Sequence, residues 1–115
     1  MQRVNFSPDD RYLATASGDK TVRIWDFQTS KTIHILETPT PLETVVFRPD
    51  GRLLAARGND GRIYLWEVES GGQLEVIAAH DQAIFCLRFS PNGQMVASCG
   101  AEVKAKAWNI SDVLP

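Results

Sequence analysis

Apolar and polar residues alternate along almost the whole chain, in short runs separated by turn residues. Alternation with a period of two marks strands that show one face to a core. Val4 to Phe6 reads as the end of one strand. Tyr12–Ser17, Thr21–Trp25 and Lys31–Leu36 follow as three more, with the β-branched Val22 and Ile24 in the middle one. The cycle then restarts at Glu43–Arg48, Arg52–Arg57, Arg62–Glu67 and Gln73–Ala78. A third round gives Ala83–Phe89, Gln94–Cys99 and Val103–Asn109, with no obvious fourth strand after it. No long 3.6-residue period competes with this pattern.

The turns repeat with the strands. Ser7-Pro8-Asp9-Asp10, Arg48-Pro49-Asp50-Gly51 and Ser90-Pro91-Asn92-Gly93 follow Phe6, Phe47 and Phe89. Proline presets the first corner of such a turn and an acid or amide favours the next. Asp10 shares its position with Gly51 and Gly93, which predicts a left-handed backbone there. Asn59-Asp60-Gly61 is a hairpin signal, and Thr38-Pro39-Thr40-Pro41 is a loop. Trp25, Trp66 and Trp108 close the three copies, at steps of 41 and 42 residues (66 − 25, 108 − 66). A fixed period of this size indicates a repeat architecture.

These residues carry a resemblance. The segment TVRIWD ending at Trp25-Asp26, the three aligned turns and the period of about 40 residues are similar to the WD-repeat β-propeller family. In the second and third copies the closing pair is Trp66-Glu67 and Trp108-Asn109. The resemblance implies an all-β fold of antiparallel four-stranded blades, about three of them, in an incomplete ring. Residues 1–115 would form one partial propeller, with approximate repeats 1–37, 38–79 and 80–115.

The family's structural network joins a His, a strand Ser or Thr, a turn Asp and the Trp indole. Carried over, it implies His80, Ser98, Glu102 and Trp108 in the third copy, and Thr15, Asp19 and Trp25 in the first. Asp60 and Trp66 hold the matching places in the second, where Thr38 occupies the His position. Glu102 stands where the other copies have Asp19 and Asp60.

Composition narrows the function. Net charge is −2, from 12 basic and 14 acidic residues, without the basic excess of a nucleic-acid binder. No apolar stretch approaches a membrane span, and the start lacks a signal-peptide core. Two cysteines, Cys86 and Cys99, make no disulfide framework. Thirteen residues apart, with no second pair of ligands, they make no metal motif either. They are expected as two buried small hydrophobes on neighbouring strands, in a cytoplasmic setting. His80-Asp81 reads as structural rather than catalytic, and no nucleophile elbow surrounds any serine. Arg57 is aligned with the small Ala16 and Cys99, where an arginine needs a carboxylate or a wet channel to be tolerated; the favoured reading is that it snorkels at the rim, and His34 is expected to point into solvent.

No cofactor and no catalysis are expected. The reading is a non-enzymatic protein-interaction scaffold. The alternative is a sensor or regulatory propeller within a larger enzyme or signalling ATPase. A protein or peptide partner would meet the end formed by the inter-blade loops and the turns before the third strands, at Thr40, Pro41, Glu43, Asn59, Asp81 and Gln82. These positions vary among the copies while the proline turns at the other end do not. Three blades do not close a ring, which implies self-association through open edges or a longer propeller chain.

Overall fold

The computed structural model describes residues 4–58, 60–78, 84–100 and 105–110. Eleven strands form three antiparallel sheets among these residues. The first sheet runs β1 (Val4–Phe6), β2 (Tyr12–Ala16), β3 (Thr21–Asp26), β4 (Lys31–Glu37). The second runs β5 (Leu42–Phe47), β6 (Leu53–Gly58), β7 (Arg62–Glu67), β8 (Gln73–Ala78). The third holds β9 (Ile84–Phe89), β10 (Met95–Gly100) and β11 (Ala105–Asn109). Strands pair in chain order within each sheet, so each sheet is a meander of hairpins. The fold is all-β, an open set of propeller-like blades.

Turn chemistry sets the registers. Asp10, Gly51 and Gly93 have φ of 61°, 74° and 74°, the left-handed region that glycine enters without a Cβ penalty. Asp10 adopts it as the sequence predicts. Lys20 and Ser30 also sit at positive φ, aligned with Gly61 and Gly71; neither residue type signals this. In the first proline turn Ser7 donates to Asp9 (2.6 Å) and accepts from the Tyr12 amide (2.9 Å). Ser90, Asn92 and Met95 repeat that arrangement. In the second turn Arg48 replaces the serine and binds Asp50 through Nε at 2.9 Å.

Two cores lie between the three sheets. Ala14, Val22, Ile24 and Leu36 of the first sheet meet Val45, Phe47, Leu54, Ala56, Tyr64 and Trp66 of the second. Leu53, Ala55, Ile63 and Leu65 leave the other side of the second sheet and meet Leu87, Val96 and Ile110 of the third. Adjacent residues of β6 thus serve different cores, and all six are buried. The first strands come closest: β5 packs on β1 and β2, and β9 packs on β5 and β6. Two further contacts bind the first sheet to the second. Asn5 donates to the Val45 carbonyl (3.3 Å). His34 Nε2 lies 3.0 Å from the Glu69 carbonyl, to which it donates, and its ring fills the space beside Gly71. His34 is half-buried against the neighbouring sheet instead of pointing to solvent.

The cysteines depart from expectation. Cys86 and Cys99 are directly paired across β9 and β10, their Cα atoms are 5.2 Å apart, and they form a disulfide. Neither is buried: Cys86 is exposed and Cys99 half-buried. The reason is parity. Leu87, Phe89 and Val96 face the second sheet, so Cys86 and Cys99 face away from it. The register was readable from the turn: three steps outward from the pair Phe89↔Val96 reach Cys86↔Cys99.

Candidate interaction surface

One end of the sheets carries the connections β2–β3, β4–β5 and β6–β7; the other carries the proline turns. At the first end the β4–β5 loop is pinned. Thr38, at the family's His position, is buried. Its amide and its hydroxyl both donate to the Lys20 carbonyl, at 3.0 and 3.1 Å, and the hydroxyl lies 2.8 Å from the Thr40 carbonyl. The Thr40 methyl packs close to Gly58. Thr40, Pro41 and Glu43 are half-buried there, with Pro39 exposed. Asn59, Asp81 and Gln82 lie outside the described residues.

Beneath this loop sits Arg57, 8% exposed. Its Nε donates to Thr44 Oγ1 at 2.8 Å. Burial lowers its pKa, and the charge of Glu43 opposes that shift. Arg57 therefore does not snorkel to the rim: its β6 position directs it into the space between sheets, where Thr44 is its register partner. An arginine is tolerated in such a place when its donors are met and a carboxylate is near.

The network residues separate into distinct groups. Trp25 Nε1 donates to Thr15 Oγ1 at 3.1 Å. Asp19 does not join them; it closes its own hairpin by accepting from the Thr21 amide (3.1 Å) and hydroxyl. Those bonds, the Thr21 hydroxyl first, hold its carboxyl below the ordinary range. In the second sheet Ala56 stands where Thr15 does, and a tyrosine takes over. Tyr64 donates to Asp60 Oδ2 at 2.8 Å and stacks on Trp66, with ring centroids 6.0 Å apart. Burial, aided by Asp60, pushes the Tyr64 hydroxyl up to about 12. Tyr64 escaped the sequence reading because its counterparts, Arg23 and Lys106, share no chemistry with it. Ser98 is buried and Trp108 half-buried, both on the face toward the second sheet. His80 and Glu102 lie outside the described residues.

The proline-turn end also carries a feature that the sequence reading missed. An open cleft of about 480 Å³ lies between the first and second sheets, lined by Asp9, Arg11, Asp50, Arg52, Glu67 and Glu69 among others. Asp9 and Asp50 are engaged with Ser7 and Arg48, which holds both carboxyls below their ordinary range. Among the described residues no three metal-capable side chains converge.

A family model described as "WD domain, G-beta repeat" matches residues 2–26, and one described as "Anaphase-promoting complex subunit 4 WD40 domain" matches residues 37–92. The chain belongs to the WD-repeat family. Its WD repeats are 31% identical over 110 residues to "Periodic tryptophan protein 2" of Arabidopsis thaliana, covering 93% of this chain and 12% of that protein. Over 36 residues they are 50% identical to "Transcription initiation factor TFIID subunit 5" of Caenorhabditis elegans, covering 31% of this chain and 6% of that one. The "Serine-threonine kinase receptor-associated protein" of Dictyostelium discoideum is 29% identical over 105 residues, 91% of this chain and 36% of its own length. This WD-repeat chain thus spans well under two thirds of each relative. WD repeats serve generally as protein-interaction modules; one of these relatives is named as a subunit of a transcription initiation factor and one as a receptor-associated protein.

Proposed function

We propose that this chain is a non-enzymatic interaction scaffold that holds a protein or peptide at the end formed by its β2–β3, β4–β5 and β6–β7 connections. The pinned β4–β5 loop carries the reading. Thr38 ties it to Lys20, and Thr40 rests on Gly58, so Thr40, Pro41 and Glu43 are presented on a fixed backbone. A preformed surface loses little ordering entropy on binding. Half-buried Glu43, next to Arg57, gives that surface a charged point beside an apolar Pro41. The division of the chain into blades at 1–37, 38–79 and 80–115 is part of the same proposal, as is a cytoplasmic setting. In a reducing compartment the Cys86–Cys99 geometry holds two thiols, so alkylation trapping in intact cells tests the setting.

A peptide-display library panned against the whole chain tests the binding surface. Selected peptides should protect amides of residues 38–44 in hydrogen exchange, and Glu43→Lys should weaken them about tenfold, the loss of a hydrogen bond to a charged group. Protection confined to the turns at Pro8, Pro49 and Pro91 would overturn the reading.

A further inference from the structure

The two junctions between sheets use the same proline turns, yet they differ where those turns meet. Between the second and third sheets the stem of Arg48 lies across Gly93: a Cβ on that glycine would stand 3.0 Å from Arg48 Cγ. Between the first and second, Ser7 holds the place of Arg48. It is short, buried and turned into its own loop, where it donates to Asp9 and accepts from the Tyr12 amide. The near neighbour of Gly51 there is Pro8 Cδ, at an ordinary contact distance of 3.6 Å. The cleft of about 480 Å³ is the space that this difference leaves.

The fold does not require the charges of this cleft. Asn92, Gln94 and Asn109 stand in the third copy where Asp50, Arg52 and Glu67 stand in the second. Asn92 accepts from the Gln94 amide at 3.0 Å, just as Asp50 accepts from that of Arg52. Within the cleft, Asp9 and Asp50 are occupied by their own turns. Glu67 and Glu69 are not. In the first copy Asp26 holds the position of Glu67, and it accepts from the Gln28 and Thr29 amides. In the second copy the connection is one residue longer. It is closed by the Glu67 carbonyl and by Ser70 Oγ. Among the described residues the carboxylates of Glu67 and Glu69 make no hydrogen bond or ion pair. Across the cleft Tyr12 is half-buried, with the Arg11 guanidinium 5.0 Å from its ring centroid.

We propose that this cleft binds a basic segment of a partner protein, through a lysine side chain whose ammonium meets Glu67 and Glu69. The lysine stem lies along the Tyr12 ring, the usual way in which such a side chain buries its methylenes. Arg52, whose guanidinium has no carboxylate partner among the described residues, donates to a main-chain carbonyl of the segment. The volume is that of a ligand pocket, but such pockets are mostly apolar and bury their ligand. A charged, open cleft suits the side chain of a polypeptide instead. The site lies at the opposite end of the sheets from the β4–β5 loop and does not rest on the surface proposed there.

Fluorescence anisotropy with a labelled peptide of alternating lysine and alanine tests this on the whole chain. The peptide should bind, and one with glutamate in place of lysine should not. Glu67→Gln with Glu69→Gln should weaken binding about tenfold, the loss of a hydrogen bond between charged groups. A matched control, Glu37→Gln with Glu75→Gln, removes exposed acids that do not line the cleft and should leave the affinity unchanged. Ser7→Arg should also weaken binding about tenfold, by laying an arginine across the cleft. Asp9 stands where Asp50 pairs with Arg48, so that variant copies an arrangement the chain already holds. Circular dichroism checks that each variant keeps its strands. A lysine peptide that fails to bind would overturn the proposal, as would full affinity in a folded Ser7→Arg protein. Equal losses in the two glutamine pairs would do so too, because attraction would then follow net charge and not this cleft.

Discussion

Tyr64 shows how a single residue can rebuild a local network. Where the first sheet ties its tryptophan to Thr15, the second has Ala56, and Tyr64 instead links Trp66 to the turn carboxylate of Asp60. Its hydroxyl has a folded pKa of about 12, against roughly 10 in an unfolded chain. The folded state therefore holds this proton more tightly. The associated stability is fully present below pH 10 and is lost as pH rises toward 12. Tyr64→Phe should cost on the order of 1 kcal/mol at neutral pH. In urea melts the gap between wild type and Tyr64→Phe should close as pH rises from 8 to about 11. A gap that stays constant would remove Tyr64 from this role.

At the scale of the element, the cross-strand disulfide is the testable feature. It closes a separation of 13 residues, for which chain entropy in the unfolded state corresponds to about 3 kcal/mol. Cys99→Ser should lower stability by roughly 2–3 kcal/mol in oxidising buffer. The two proteins should unfold together in excess reductant; a difference that persists there would assign the loss to packing. The strands themselves were legible from the sequence to within a residue or two, because alternation and turn residues are both local signals. Arg62–Glu67 and Gln73–Ala78 came out with their observed bounds. What was not legible depends on parity relative to a neighbouring sheet. Arg57, His34 and Cys86 were each read as single side chains on a strand. Their surroundings are set by which face of that strand meets another sheet, and no property of the residue itself encodes this. Lys20 and Ser30 hide for a different reason: the hairpin imposes their positive φ, against the preference of both residue types.

For the molecule as a whole, burial is graded by position in the stack. β6 is buried along its length and β7 along most of it, whereas β1 keeps Val4 and Phe6 in solvent. Backbone amides open with free energies that follow such burial. Native-state hydrogen exchange should therefore find the slowest amides in β6 and β7, with β1 and β4 exchanging faster. Highest protection in β2 and β3 would contradict this ordering. Function in this family is carried by surfaces, and a rigid central sheet gives the flanking sheets and the pinned loop a fixed reference.

The meander topology also bears on how the chain is made. Every strand pairs with its neighbour in sequence, so each sheet can assemble as soon as its own segment has left the ribosome. The core between the first two sheets cannot form then, because half of it is still untranslated. At 5–20 residues per second, the 41 residues separating Trp25 from Trp66 take roughly 2–8 s to synthesise. For that interval Ala14, Val22 and Ile24 wait uncovered, on a nascent chain whose other face is apolar as well. The vulnerable moment for aggregation in the cell is thus set by translation speed through the second repeat, and slow codons there would lengthen it.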